Sequence, residues 1–187
     1  LNFDTESVSD EFNGGTVDPR WKWVRENKST RSLSVKPGSL TITGEPGGVL
    51  EATNNARNLL LQSANNDWTI ETRLVCSRSP SQPENAGILA YQDDDNVVKL
   101  MFRAVVKTTR VRGVQPGTID LVMEENGIAK SLATFNLRNE VTGDNALSLK
   151  LEKRGSIYTA YYSLDGTNWE LLGTASLLLK DIRAGLI

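Results

Sequence analysis

The residues able to do chemistry are carboxylates and arginines, and their spacing argues against bond cleavage. Retaining hydrolysis of a glycosidic bond needs two carboxyl groups roughly 5 Å apart. In Glu71-Thr72-Arg73 a positive charge stands where the second acid would be. Asp120 and Glu124 lie four residues apart on one alternating run, which separates them by about 13 Å along a strand. There is no histidine, so Ser-His-Asp and Cys-His arrangements, His-ligated zinc and imidazole acid–base chemistry are all excluded. Cys76, the single cysteine, excludes an internal disulfide and a CxxC metal knuckle. It falls on the apolar side of an alternating run, where a thiol packs as core and stays inert. The run Asp93-Asp94-Asp95-Asn96 is oxygen-rich enough to suit a hard cation. It lacks the glycine and the distal bidentate glutamate of an EF-hand loop. A plain hairpin turn is the expected reading, with structural calcium as the alternative; no cofactor is expected.

Charge narrows the partners. The 187 residues carry 21 basic and 23 acidic side chains, a net charge of −2. A nucleic-acid or anionic-membrane surface would need a clear basic excess. The local cluster Arg103, Lys107, Arg110 and Arg112 reads as the solvated side of a strand and turn. No run of about 18 apolar residues is available for a membrane span, and no secretory signal stands at the start. The chain is therefore expected to be mature, cut from a longer protein, or cytosolic.

The elements that must position these residues are strands. From Trp68 to Cys76 one side reads Trp, Ile, Thr, Leu, Cys, with Thr69, Glu71, Arg73 and Val75 opposite. Leu100 and Phe102 alternate with Lys99, Met101 and Arg103; Ile119, Leu121 and Met123 alternate with Asp120, Val122 and Glu124. Leu147, Leu149 and Leu151 alternate with Ser148, Lys150 and Glu152. Each is the pattern of a half-buried antiparallel strand. Turns are expected at Lys36-Pro37-Gly38-Ser39 (joining Leu33–Val35 to Leu40–Ile42), Asp93–Asn96, Glu125-Asn126-Gly127 and Asp165-Gly166. About ten to twelve short strands result, which selects a sandwich or jelly roll of two antiparallel sheets. One domain over residues 1–187 is expected, with residues 1–9 a linker or edge strand.

Several strings together resemble one family. They are Asp10-Glu11-Phe12, Asp18-Pro19-Arg20-Trp21-Lys22-Trp23-Val24-Arg25-Glu26, Lys36-Pro37-Gly38-Ser39-Leu40-Thr41-Ile42 and Ala56-Arg57-Asn58-Leu59-Leu60-Leu61-Gln62. Trp68-Thr69-Ile70-Glu71-Thr72-Arg73, Ala86-Gly87-Ile88-Leu89-Ala90-Tyr91-Gln92-Asp93 and Tyr161-Tyr162-Ser163-Leu164-Asp165-Gly166-Thr167-Asn168-Trp169 follow in order. In this order they resemble the concanavalin-like β-sandwich at the C-terminus of family 43 glycoside hydrolases, the β-xylosidase and arabinofuranosidase group. The first tryptophan string and Ala56–Gln62 are the specific ones; the Ser-x-Asp-Gly-x-x-Trp hairpin is shared by many lectin-like sandwiches.

The resemblance implies a concanavalin-like jelly roll that packs on an upstream five-bladed catalytic propeller. It also implies a polysaccharide ligand such as xylan or arabinoxylan, and a secreted rather than cytoplasmic setting. A last strand normally follows the match to Ala184-Gly185-Leu186-Ile187, so an unpaired edge is expected there. The matching strings supply Trp21, Trp23, Arg25, Arg57, Asn58, Tyr91, Gln92 and Asp94 as candidate ligand-binding residues, since sugar recognition combines flat aromatic faces with a few planar polar groups. Trp21 and Trp23 serve equally as core, and Arg25 and Arg57 equally as ion-pair partners of Glu26 or Glu11. Trp68 and Trp169 read as structural. Glu71, Arg73, Lys99, Arg103, Asp120 and Glu124 line a groove if their strands form a concave sheet, and are wetted surface if the sheet is convex. Non-catalytic carbohydrate binding is thus the leading expectation. A free-standing jelly-roll glycosidase and a structural or protein-binding lectin-like domain are the alternatives.

Overall fold

Apolar side chains at every second position give each long strand one greasy face, and two sheets bury those faces against each other. A computed structural model describes residues 9–76, 85–104, 117–137 and 146–187. Short pieces come first: β1 (Lys22–Val24), β2 (Arg31–Ser32), β3 (Thr41–Ile42), β4 (Val49–Leu50) and β5 (Thr53–Asn54). Longer strands follow as β6 (Leu59–Ser63), β7 (Trp68–Leu74), β8 (Asn85–Asp93), β9 (Asn96–Arg103) and β10 (Gly117–Glu125). The remainder are β11 (Ile128–Leu137), β12 (Leu147–Arg154), β13 (Ile157–Ser163), β14 (Glu170–Ser176) and β15 (Arg183–Leu186). No α-helix occurs among the described residues.

The large sheet has seven strands in the order β1-β6-β15-β8-β9-β10-β11, and the small sheet has four in the order β14-β13-β12-β7. Their pairings are antiparallel. The two-sheet all-β sandwich expected from the alternation is present. Fifteen strands occur among the described residues, against the ten to twelve expected. The surplus lies before Leu59, where β2–β3 and β4–β5 form separate two-residue hairpins. No strand forms at Leu33–Val35: β2 ends at Ser32, whose hydroxyl accepts from the Ser34 and Val35 N–H groups, and the chain then turns with Ser39 N–H on Lys36 O.

Between the sheets, Ile88, Ala90, Val98, Leu100, Ile119 and Leu121 meet Leu147, Leu149, Leu151, Tyr158 and Ala160, all with no measurable exposure. Burial of each large side chain contributes about 1.5–3 kcal/mol. Trp68 joins this layer edge-on to Tyr158 and donates from Nε1 to Ala64 O, in keeping with a structural role. Cys76 packs half-buried at its margin. At Gly173 the sheets approach closely, since a Cβ there would stand 3.0 Å from that of Ala133.

A second, smaller core lies on the opposite face of the large sheet. There Val49 and Ala56 cover Leu59, Leu61, Leu89, Tyr91 and Val97. The β4–β5 hairpin therefore lies over part of the large sheet's outer face. β15 is paired on both sides, by β6 and by β8, and among the described residues β14 and β7 are the outer strands of the small sheet.

Candidate functional site

Alternation on β8, β9 and β10 sends one set of side chains inward, so the other set must form the outer face. At the β8–β9 turn that face is closed. Arg25 follows β1 with φ of 52° and swings its guanidinium onto Asp94, Nη1 to Oδ2 at 2.9 Å and Nη2 to Oδ1 at 3.0 Å. Its Nε donates to Ala56 O at 2.6 Å, and the Tyr91 hydroxyl donates to Asp94 Oδ1 at 2.9 Å. Asn58, buried and also left-handed (φ 57°), donates its backbone N–H to Arg25 O. Its side chain accepts from Asn27 N and donates to Thr30 Oγ1. Burial raises the Tyr91 hydroxyl above the usual phenol range, and its bond to Asp94 raises it further.

Four of the eight candidate residues thus form one clasp, and the partner of Arg25 is Asp94 rather than Glu26 or Glu11. Gln92 sits beside it with both amide ends engaged, Nε2 donating to Asp93 and Oε1 accepting from Lys180 N. Arg57 is exposed and stands 3.8 Å from Glu45. Trp23 is half-buried with the Arg31 guanidinium 5.0 Å from its ring centroid, and Trp21 is buried. The Asp93–Asn96 run is a turn whose oxygens are already in use. Asp93 accepts from Asp95 N, Asn96 Nδ2 and Gln92 Nε2, Asp94 is taken by the clasp, and Asp95 accepts from Asn54 Nδ2.

Further along the same face, β9 and β10 bring together four members of the second candidate set. Lys99 and Glu124 are both buried, with Nζ 3.6 Å from Oε2. They hold the overlying hairpin: Lys99 donates to Val49 O, and Glu124 Oε1 accepts from Glu51 N at 2.7 Å. Burial pulls the Lys99 ammonium below the usual lysine range, opposed by the charge of Glu124. Arg103 donates from Nε and Nη2 to Asp120 Oδ2 at 3.1 and 2.7 Å. Thr118 and Thr134 donate to the same carboxylate, each at 2.7 Å.

Past the hairpin the face is open. Register places Gly87, Met101, Asp120 and Thr134 in one row, and Lys99 and Val122 in the next. The groove has Met101, Val122, Asp120 and Arg103 on its floor and Val49–Glu51 on one side. Arg103 keeps 55% of its side chain exposed while Asp120 keeps 5%. An aliphatic strip beside a half-free, fixed guanidinium can pack against a sugar face and bond its hydroxyls. Glu71 and Arg73 are elsewhere, exposed on the small sheet, where Glu71 stands 4.0 Å from Lys150. Lys107, Arg110 and Arg112 lie outside the described residues. Sequence reasoning missed Met101 and Val122 as groove floor. The signal was their place, apolar side chains on the polar sides of alternating strands.

Comparison with known proteins follows this geometry. The fold is similar to that of GH43 BlXynB from Bacillus licheniformis, with 21% identity and a TM-score of 0.75 over 95% of this chain and 34% of that one. It is likewise similar to xylan beta-1,4-xylosidase from Bacillus halodurans C-125, with 17% identity and a TM-score of 0.76 over 100% and 36% of the respective chains. A GH43_12 protein retrieved from capybara gut metagenome matches at 16% identity and a TM-score of 0.72, over 95% of this chain and 33% of that one. The chain thus spans about a third of the length of each of these structures. No match was found among curated protein sequences. Matched from residue 9 to residue 185 by the model of the beta-xylosidase C-terminal concanavalin A-like domain, the chain belongs to that family.

Proposed function

We propose that this domain is a non-catalytic carbohydrate-binding module of a secreted, plant-cell-wall-degrading glycoside hydrolase, and that its ligand is xylan or arabinoxylan. The observation that carries the proposal is the open end of the large sheet's outer face. There Arg103 is held by Asp120 yet half exposed, beside the strip of Met101 and Val122. Family membership supports a carbohydrate context and a catalytic propeller as the partner domain.

The carboxylates of the groove are poorly placed for acid–base work. Asp120 accepts from Arg103, Thr118 and Thr134, and Glu124 is fully buried beneath the hairpin. The floor is aliphatic rather than aromatic, so affinity for a short oligosaccharide falls in the weak range, about 1 mM. Of the string-derived candidates, Trp23 and Arg57 keep surface for a ligand. Arg25, Asn58, Tyr91 and Asp94 spend their polar groups on one another, which supports a scaffolding role for them. Affinity electrophoresis of the isolated chain tests the function: migration slows in gels containing xylan or arabinoxylan and is unchanged in gels with an unrelated glucan. Unchanged migration in every polysaccharide would reduce the domain to a structural role. Turnover of aryl xylosides or arabinosides by the chain alone would restore the glycosidase alternative.

A further inference from the structure

A guanidinium carries five N–H donors set along its edges, and Arg103 spends only one edge within the protein. Nε and Nη2 both donate to Asp120 Oδ2, at 3.1 and 2.7 Å. The edge formed by Nη1 and Nη2 has no partner among the described residues, on a side chain that is 55% exposed. Arg25 differs: Nη1 and Nη2 go to Asp94 and Nε to Ala56 O, so no edge is left over.

Register sets what surrounds the unused edge. Asn85 of β8, Arg103 of β9, Thr118 of β10 and Asn136 of β11 form one row across the large sheet. Two-residue periodicity puts that row on the same face as Gly87, Met101, Asp120 and Thr134. Asn85 and Asn136 are exposed, and no member of the row is acidic. Asp120, one row back, is 5% exposed and shares its charge among Arg103, Thr118 and Thr134. The charges of Glu51 and Glu124 are felt at Lys99. Lys99 stands four residues back along β9, about 13 Å away, beyond the ~8 Å over which exposed charges act in physiological salt.

We propose that this row is a subsite for a uronic acid, a sugar ring bearing a carboxylate, on the glycan that lies in the groove. The inference rests on carbohydrate binding at that groove and names the substituent it selects. A carboxylate approaching end-on takes Nη1–H and Nη2–H together, in the planar two-bond geometry that suits a guanidinium. The bond to Asp120 fixes the plane of the fork before the ligand arrives, which spares the cost of ordering it. Asn85, on the neighbouring strand about 4.8 Å away, can donate to and accept from the ring hydroxyls. Met101, one row back, packs against the carbon face. A neutral sugar leaves the fork with hydroxyls alone, which lack the charge that strengthens such bonds.

The probes are xylohexaose and xylohexaose carrying one glucuronic acid branch, each titrated into the isotope-labelled chain at about 20 mM salt. The branched sugar binds about tenfold tighter and moves the Arg103 side-chain N–H resonances furthest. Raising salt to about 0.5 M shrinks the preference to about threefold, and reducing the branch carboxyl to an alcohol abolishes it. Arg103→Lys keeps the charge but not the fork, and lowers the preference to about twofold. Asn85→Ala, at an exposed position, weakens the branched sugar about threefold without lowering the melting temperature. Equal affinity for the two sugars, with shifts at Met101 and Val122, would overturn the subsite and leave the carbohydrate function standing. Displacement of the branched sugar by an equal concentration of sulfate would make the row a general anion site and overturn the assignment. No binding of either sugar at millimolar concentration would overturn both the subsite and the function beneath it.

Discussion

Two arginine–aspartate pairs stand at opposite ends of one sheet face, and they are put to different uses. In the clasp, Arg25 and Asp94 are about equally covered, at 29% and 28% side-chain exposure, and Tyr91 and Ala56 take up their remaining bonds. In the groove the covering is lopsided, with Asp120 at 5% and Arg103 at 55%. Asp120 also accepts from Thr118 and Thr134. The same two residue types therefore make a joint in one place and present a fixed cation to solvent in the other. What separates them is how many neighbours each partner has besides the other.

The sharpest way to break the comparison is to remove the carboxylate of the clasp. Asp94→Ala leaves Arg25 and Tyr91 without an acceptor and lowers stability by about 2–3 kcal/mol. Urea unfolding measures this, and a loss below 0.5 kcal/mol would show that the clasp is not a joint. Tyr91→Phe is milder, costing about 1 kcal/mol near neutral pH. Its pH dependence has a definite sign. The folded-state pKa of Tyr91 lies above the ordinary value of 10.0, so its contribution is present below pH 10 and lost as pH rises through the folded pKa. The wild-type advantage over Tyr91→Phe should shrink above pH 10 for that reason. Tyr158 and Tyr162, each pushed up to about 12 by burial, weaken both proteins alike in that range and cancel in the difference. Smallest in stability is Arg103→Ala, about 0.5–1 kcal/mol, because the guanidinium end of the pair is more than half exposed while buried Asp120 still has Thr118 and Thr134 as donors. It nonetheless abolishes retardation in xylan gels. Loss of both stability and retardation would make the groove pair a second joint.

Much of the fold was legible in the sequence because alternation is a local signal. Leu147, Leu149 and Leu151 declare a buried face on their own, and the hairpins at Asp93–Asn96 and Asn126-Gly127 follow from turn chemistry. The two-residue strands before Leu59 were not legible, since their positions depend on distant contacts such as Glu124 to Glu51. Arg25 and Asp94 were both singled out, but their mutual bond spans 69 residues of sequence. No local pattern could tell a ligand contact from a clasp. The groove was half legible: Lys99, Arg103, Asp120 and Glu124 share a side by period, while which sheet face stays open depends on where the β4–β5 hairpin settles.

The most direct test is a titration of the isotope-labelled chain with xylohexaose, followed by backbone and side-chain resonances. Shifts should gather at Met101, Arg103, Asp120 and Val122 while Arg25, Tyr91 and Asp94 stay silent. Shifts centred on the clasp, or none anywhere at millimolar sugar, would contradict the division of labour between the two ends of the face.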